Sequence, residues 1–203
     1  MLPFLLSFAA TYSFTVAIVG SHGDLGRELV YQTLSRPSWY CLAGTRHPEK
    51  SIIIPYRDGW NESFEIKDER LVVASPEEVQ SFYSFDALLF AHSSQSQEDS
   101  TDTVVRQLCN NLPASCKKVG LVSYTGMDKV RESLPTHSWL RERYVSKWNQ
   151  EMALESLVDC EGRIWRETCL SHGSVSCVTT PRQSLAAHML EWVGSEADGE
   201  LVS

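Results

Sequence analysis

The chain has 203 residues, of which 42 % are apolar and 22 % are charged. This composition is sufficient for a domain with a sizeable core and excludes a disordered chain. The 18 basic residues stand against 26 acidic ones, for a formal charge of −8, which argues against binding of a nucleic-acid backbone through a basic face. We therefore expect one domain over residues 1–203, with residues 1–12 and 194–203 less ordered.

The cysteines and the first ten residues bear on the cellular location. No two cysteines have C-x-x-C spacing, so neither a zinc site nor a redox dithiol is indicated. Idle thiols fit a reducing compartment, and we expect a cytoplasmic protein with no bound metal. Residues 1–10 are apolar but too few to span a bilayer, and no basic residue precedes them. They predict a lead-in or an extra strand and no membrane contact, with a signal or anchor segment as the alternative.

The predicted elements alternate between strands and helices. The β-branched run Phe14–Val19 predicts a buried strand, and apolar residues from Leu25 to Leu34 have helical spacing that ends at Arg36-Pro37. Further strands are predicted at 39–43, 52–54, 64–66, 71–74, 86–91, 118–122 and 163–165. Further helices are predicted at 104–112, 138–157 and 180–193, and another helix is predicted to begin at Ser75-Pro76. The order of the strands in 51–70 stays open. This alternation predicts an α/β fold, a doubly wound parallel sheet with helices on both faces.

The strongest motif lies between the first strand and the first helix, where three glycines have G-x-x-G-x-x-G spacing. The first glycine allows a sharp turn, the second lets the backbone approach a pyrophosphate, and the third lets the helix pack closely on the strand. The loop therefore predicts a nucleotide-binding site, and the alternative is a tight turn without a ligand. The residues assigned to this contact are Gly20, Ser21, His22, Gly23, Asp24, Leu25 and Gly26; His22 points either to a phosphate or to solvent.

A second motif, Thr45-Arg46, follows the second strand. Enzymes that prefer NAD usually have an acidic residue there, which binds the ribose 2′-hydroxyl, whereas a cation fits a 2′-phosphate. Arg46 therefore favours NADP, with NAD as the alternative cofactor and a solvated surface arginine as the alternative role. In such a fold, Ala91 and His92 at the end of the strand at 86–91 would face the nicotinamide.

Several of these segments together resemble the short-chain dehydrogenase/reductase superfamily and, within it, the atypical NmrA-like group. They are the glycine loop, residues 43–48, the strand end Ser123-Tyr-Thr-Gly126, Ser146-Lys147 on the long helix, and residues 179–190. The short chain is similar to small single-domain members of the biliverdin reductase B (flavin reductase) type. The resemblance covers nearly the whole chain and implies a Rossmann-type fold that binds NAD(P).

The resemblance also implies hydride transfer, assisted by a serine, a tyrosine and a lysine. Ser123 and Lys147 match the serine and the lysine, and both would also contact the cofactor. Tyr144 departs from the family pattern Y-x-x-x-K, because only two residues separate it from Lys147. Since each helical residue turns by about 100°, Tyr144 is displaced by about that angle from the expected position, where Arg143 stands. Tyr144 is a candidate proton donor, and a packing tyrosine is the alternative.

Two main functions remain open. The first is an NADP(H)-dependent oxidoreductase acting on a small molecule such as a flavin, quinone or carbonyl compound, as a monomer or homodimer. The second is a non-catalytic NADP-binding redox sensor or partner-binding regulator, which the displaced Tyr144 motivates. A structural protein on the same scaffold is a weaker third interpretation.

Overall fold

The computed structural model describes residues 13–54, 63–82, 84–91, 101–124, 127, 138–167 and 182–195. Predictions for His92, for residues 1–12, for most of the C-terminal tail, for the start of the last helix at 180–181, and for Cys169 and Cys177 lie outside these ranges. No helix within them is both long enough and apolar enough to cross a membrane.

A six-stranded parallel sheet forms the centre of the molecule. Its strands are β1 (Phe14–Val19), β2 (Trp39–Gly44), β5 (Leu71–Ala74), β6 (Ala87–Phe90), β7 (Lys118–Tyr124) and β8 (Glu161–Glu167). Their spatial order is β5-β2-β1-β6-β7-β8, and every neighbouring pair is parallel. The chain therefore reverses its direction of growth between β1 and β6, which is the strand order of the Rossmann-type fold.

The connections between these strands contain α1 (Asp24–Leu34), α2 (Pro76–Ser81), α3 (Thr101–Asn110) and α4 (Ser138–Glu155), and α5 (Arg182–Gly194) follows β8. Helices α1 and α5 pack together on one face of the sheet, while α2, α3 and α4 cover the other. Helix α2 begins with a capping box, in which Ser75 and Glu78 bond each other's backbone N–H groups. The predicted α/β fold with helices on both faces is confirmed.

The core divides into two apolar clusters because successive side chains of a strand point to opposite faces. In β1, Val16 and Ile18 pack towards α1 and α5, while Ala17 and Val19 pack towards the helices on the other face. All four are buried. A central parallel strand is buried on both faces, which explains its nearly unbroken apolar sequence.

The connection from β2 to β5 contains a hairpin where an α/β crossover ordinarily has a helix. Strands β3 (Ile53–Ile54) and β4 (Phe64–Glu65) form a separate two-stranded antiparallel sheet. The hairpin contacts α1, and the rings of Tyr31 and Phe64 meet edge to face at 5.8 Å. The strand order that the sequence left open is therefore resolved: neither strand joins the main sheet.

Arg70, just before β5, fastens the carboxyl end of α1. Its guanidinium donates to the carbonyl oxygens of Leu34 at 2.7 Å and Arg36 at 2.8 Å, and to the Asp68 carboxylate at 2.6 Å. These hydrogen bonds satisfy carbonyl groups that a helix end leaves without intrahelical partners. The hydrogen bond from Arg70 is the main cause that lowers the pKa of Asp68.

We expect Arg70→Met to lower the free energy of unfolding by about 2 kcal/mol at neutral pH, because it removes donors from carbonyls and a carboxylate that are partly buried. Because the pKa of Asp68 is lower in the folded chain than in the unfolded one, its carboxylate stabilises the fold at any pH above the ordinary Asp pKa. This stabilisation is lost as the pH falls below about 4. The difference between wild type and variant, measured by urea denaturation, should therefore shrink near pH 3.

Lys67→Met is the matched control. It breaks an exposed ion pair with Glu65 (3.0 Å), and exposed pairs of this kind add little to stability. Equal losses of stability in the two variants would contradict the role given to Arg70.

Candidate functional site

The glycine loop is fastened to the end of β2. Gly20 has a φ of 89°, in the left-handed region that glycine adopts without strain. The Gly44 carbonyl accepts from the backbone N–H groups of Gly20 (2.9 Å) and Ser21 (3.2 Å) and from the Ser21 hydroxyl (3.1 Å). Ser21 is fully buried, and both its hydroxyl and its backbone N–H hold the loop in place.

The next two glycines allow α1 to approach this loop closely. A Cβ atom on Gly26 would overlap the Gly20 carbonyl oxygen and lie 2.8 Å from Ser21 Cα, and neither backbone atom has room to move aside. A Cβ atom on Gly23 would lie 3.3 Å from the same oxygen, which is tight but less severe. The close approach therefore requires a residue without a side chain at position 26 and leaves only a tight fit for one at position 23.

The amino end of α1 faces this crevice without a side-chain cap. Gly23 is the capping residue, with φ −69° and ψ 162°, and it contributes no side-chain hydrogen bond. The N–H groups of the first turn, at Asp24 and Leu25, are therefore presented to an anion together with the positive end of the helix dipole. Leu25 itself is buried in the core, so its available contact is the backbone.

The loops after β1 and β6 meet at the point where the strand order reverses. The Ala91 N–H donates to the Val19 carbonyl at 2.8 Å, and the Ala91 carbonyl lies 3.8 Å from where a Cβ of Gly23 would stand. Ligands of open α/β sheets bind in this crevice, outside the carboxyl ends of the strands. Ala91 thus lies at the position that the sequence predicts.

The residues after β2 lie beside the glycine loop. The Thr45 N–H donates to the Ala74 carbonyl at 2.9 Å, and Thr45 is buried whereas Arg46 is exposed. The His22 ring bonds the Thr45 hydroxyl through Nδ1 and the Ser51 carbonyl, at 3.3 Å, through Nε2. Both ring nitrogens of His22 thus have protein partners, an arrangement that neither sequence-based alternative anticipated.

The other half of the site lies where α4 packs on β7. Lys147 is only 1 % exposed, and its Nζ donates to the Val122 carbonyl at 2.9 Å and to Gln150 Oε1 at 3.0 Å. Ser123, the next residue of β7, is also 1 % exposed, and its hydroxyl has no hydrogen-bond partner among the described residues. The fold therefore brings Lys147 to the strand end that carries Ser123.

Helix α4 runs without interruption through Tyr144 and Lys147. The side chain of Tyr144 is half-buried. With no bulge between these residues, the angular displacement of Tyr144 from the family position applies to the folded chain. The side chain of residue 143 is not among those that the structure describes.

Sequence reasoning missed the polar residues that accompany Lys147 on α4. Gln150 and Glu151 are fully buried, and the Glu151 carboxylate accepts from Arg166 of β8 at 3.2 Å. Their positions three and four residues after Lys147 place them on its side of the helix. Polar residues at this spacing after the candidate lysine were the available signal.

The four described cysteines are free thiols. Burial raises the pKa of Cys109 to about 12 and also raises that of Cys41. At neutral pH such thiols are almost entirely protonated and poor nucleophiles. Within the described ranges, no group of three or more His, Cys, Asp or Glu residues is placed to hold a metal.

Substitutions in the loop should follow the space available at each glycine. We expect Gly26→Ala to lower the free energy of unfolding by about 3 kcal/mol or more, since its methyl group meets backbone, and Gly23→Ala to cost about 1–2 kcal/mol. Gly162→Ala on β8 is the control, because its Cβ would have an ordinary contact at 3.4 Å. Chemical denaturation measures all three, and equal tolerance of Gly26→Ala and Gly162→Ala would contradict the close approach.

No family model matches the chain, and no curated protein matches it by sequence. Solved structures do resemble its fold. A candidate NADH-flavin reductase from Streptococcus pneumoniae superposes with a TM-score of 0.59 at 10 % identity, covering 90 % of this chain and 94 % of that one. A Rossmann-fold NAD(P)-binding family protein from Shigella flexneri gives 0.56 at 14 %, covering 90 % and 87 %. A short-chain dehydrogenase from Burkholderia cenocepacia, in complex with NADP, gives 0.51 at 12 %, covering 95 % and 94 %. What this chain shares with them is the Rossmann-type fold.

Proposed function

We propose that the protein is an NADP(H)-dependent oxidoreductase that transfers a hydride to or from a small acceptor. The observation that carries this proposal is the glycine loop, in which two glycines let an uncapped helix end approach the crevice between β1 and β6. Backbone N–H groups and a helix dipole at such a crevice suit a diphosphate. All three of the similar structures described above are named with a nicotinamide cofactor, which is in keeping with this proposal.

Each part of the cofactor would be bound by a different group of residues. The N–H groups of the first turn of α1 bind the diphosphate, Arg46 pairs with the 2′-phosphate, and the Ala91 backbone lines the crevice towards the nicotinamide. When bound, the nicotinamide supplies or accepts the hydride. The backbone contacts need no induced change, because the loop is already held by the Gly44 carbonyl.

Ser123 and Lys147 are the groups proposed to act on the acceptor. The Ser123 hydroxyl is buried without a partner among the described residues, and a buried hydroxyl in this state favours a ligand that completes its hydrogen bonds. It would donate to an acceptor oxygen or to the cofactor. Lys147 orients this strand end through the Val122 carbonyl. On resemblance alone, a flavin or quinone is our first proposal for the acceptor.

The proposal is tested by titrating the purified chain with NADPH and NADH and following nicotinamide fluorescence or heat. Saturable binding of NADPH is expected. Absence of binding of either dinucleotide at millimolar concentration would end the proposal. A panel of flavin, quinone and aldehyde acceptors then tests turnover.

A non-catalytic NADP sensor is the second candidate, and the register of Tyr144 on the uninterrupted α4 favours it. It predicts NADPH binding without oxidation by any member of the acceptor panel. Turnover of any one of these acceptors well above the rate without protein would remove it.

Arg46 tests the choice of cofactor. We expect Arg46→Ala to weaken NADPH binding by about ten- to a hundredfold, as befits loss of one charge-assisted phosphate contact, and to leave NADH binding within about twofold. Arg46→Lys, which keeps the charge without the planar fork, should lie between. Equal weakening of both dinucleotides would mean that Arg46 contacts a part that they share.

The two residues of α4 should respond differently in the acceptor assay. We expect Lys147→Met to lower kcat by about tenfold or more, because it removes the donor that fixes the end of β7, whereas Tyr144→Phe should leave kcat within about twofold. A loss of kcat in Tyr144→Phe comparable to that in Lys147→Met would restore the phenol to the mechanism.

A further inference from the structure

His22 joins three separate segments of the candidate site. It belongs to the glycine loop, its Nδ1 bonds the Thr45 hydroxyl after β2, and its Nε2 bonds the Ser51 carbonyl before β3. The Thr45 hydroxyl oxygen also accepts from the backbone N–H of His47 at 3.2 Å. Arg46 therefore lies between Thr45, whose hydroxyl bonds the His22 ring, and His47, whose backbone N–H bonds the same hydroxyl.

The partners of His22 decide where its hydrogen lies. A carbonyl oxygen only accepts, so Nε2 carries a hydrogen towards Ser51. In the neutral ring, Nδ1 is then an acceptor, and the hydroxyl of Thr45 must donate to it. In the protonated ring, Nδ1 donates instead, and the Thr45 oxygen uses both lone pairs, one for Nδ1 and one for the His47 N–H.

The two states of the ring present different groups to a ligand. With neutral His22, the hydrogen of Thr45 is committed, and the oxygen has one lone pair left for a donor such as a ribose 2′-hydroxyl. With protonated His22, the hydrogen of Thr45 is released for an acceptor such as a phosphate, and a positive charge stands behind it. Thr45 is 5 % exposed, so water competes little with either arrangement.

We propose that His22 is a protonation-dependent selector between the two dinucleotides, with its protonated form favouring NADP and its neutral form favouring NAD. The inference rests on the proposed function, because it assumes that a dinucleotide binds here. One proton passes from solvent to Nδ1 when NADPH binds to the neutral form, and the Thr45 hydroxyl turns its hydrogen towards the 2′-phosphate. NADH binding takes up no proton at this residue.

Other titratable groups lie on the segments that meet at His22. Glu65 of β4 accepts a hydrogen bond from the Ser51 hydroxyl, which is the main cause that lowers its pKa. A backbone hydrogen bond is the main cause that lowers the pKa of Glu49. Both carboxylates are therefore ionised throughout the range, about pH 5 to 8, in which imidazoles titrate. Among the described residues of 20–28, 45–54 and 63–67, the other charged groups are Asp24, Arg27, Glu28, Arg46, Lys50 and Lys67.

His47 supplies the matched control. It is a second imidazole of the same segment, is exposed, and pairs with Glu49 at 3.3 Å. It contacts Thr45 only through its backbone N–H. His47→Asn thus removes the other imidazole of this segment and leaves the contact between His22 and Thr45 intact.

The experiment measures Kd for NADPH and NADH between about pH 8 and pH 6.5 by calorimetry. In the wild type, the ratio of NADPH affinity to NADH affinity should rise by about three- to tenfold as the pH falls, since linkage of one proton changes affinity by at most tenfold per pH unit. His22→Asn and Thr45→Val should flatten this rise, whereas Thr45→Ser and His47→Asn should keep it. A rise that survives in His22→Asn, or that is absent from the wild type, overturns the inference.

A measurement on the wild type alone guards against variants that fail to fold. Calorimetry near pH 7 in buffers of different ionisation heat should show uptake of a fraction of a proton with NADPH and none at this site with NADH. The 2′-phosphate cannot produce this signal, because a phosphate near its pKa of about 6 releases protons when it binds cations. Equal proton exchange for the two dinucleotides refutes the selector, whereas absence of binding by either refutes the proposed function itself.

Discussion

The close contact between the start of α1 and the turn after β1 is the constraint on which the rest of the site depends. The Gly20 carbonyl lies where a Cβ of residue 26 would have to stand, so helix and loop can pack at this distance only without that atom. The contact aims the first N–H groups of α1 along the crevice instead of into solvent. It also sets the position of His22, and through His22 that of Thr45.

The strand order concentrates these groups at one edge of the sheet. Because β1 lies between β2 and β6, the loops that follow all three strands meet within a few residues of one another, at Gly20, Thr45 and Ala91. None of the three needs a long side chain to reach a ligand, since backbone groups and one short hydroxyl lie at the crevice. Strands β7 and β8 extend the sheet beyond β6. Ser123 lies near the end of β7, and Lys147 reaches the same strand end from α4.

Much of the fold follows from local patterns in the sequence. Apolar runs identify the parallel strands, and the proline and capping signals at Arg36-Pro37 and Ser75-Pro76 give helix boundaries correctly, because these features act within a few residues. Strands were predicted at both positions of the β3–β4 hairpin, but their antiparallel pairing was not, since strands of two residues have too few residues for a pattern that specifies their partner. The partners of His22 were also beyond prediction: Thr45 and Ser51 lie 23 and 29 residues away along the chain.

The two halves of the site differ in how they can be recognised, and the difference is physical. The half around α1 contains glycines at a fixed spacing, and this spacing can be recognised directly in the sequence. The half around α4 depends on which face of a helix meets the sheet, and there Lys147, Gln150 and Glu151 are all buried.

Burying a lysine and a carboxylate costs several kcal/mol of desolvation, which hydrogen bonds such as those to Val122, Gln150 and Arg166 oppose. Well-packed apolar side chains at these positions would give a fold of equal or greater stability. The packing of α4 on the sheet does not by itself explain why Lys147, Gln150 and Glu151 occupy its buried face, because a helix packs on a strand equally well through apolar side chains.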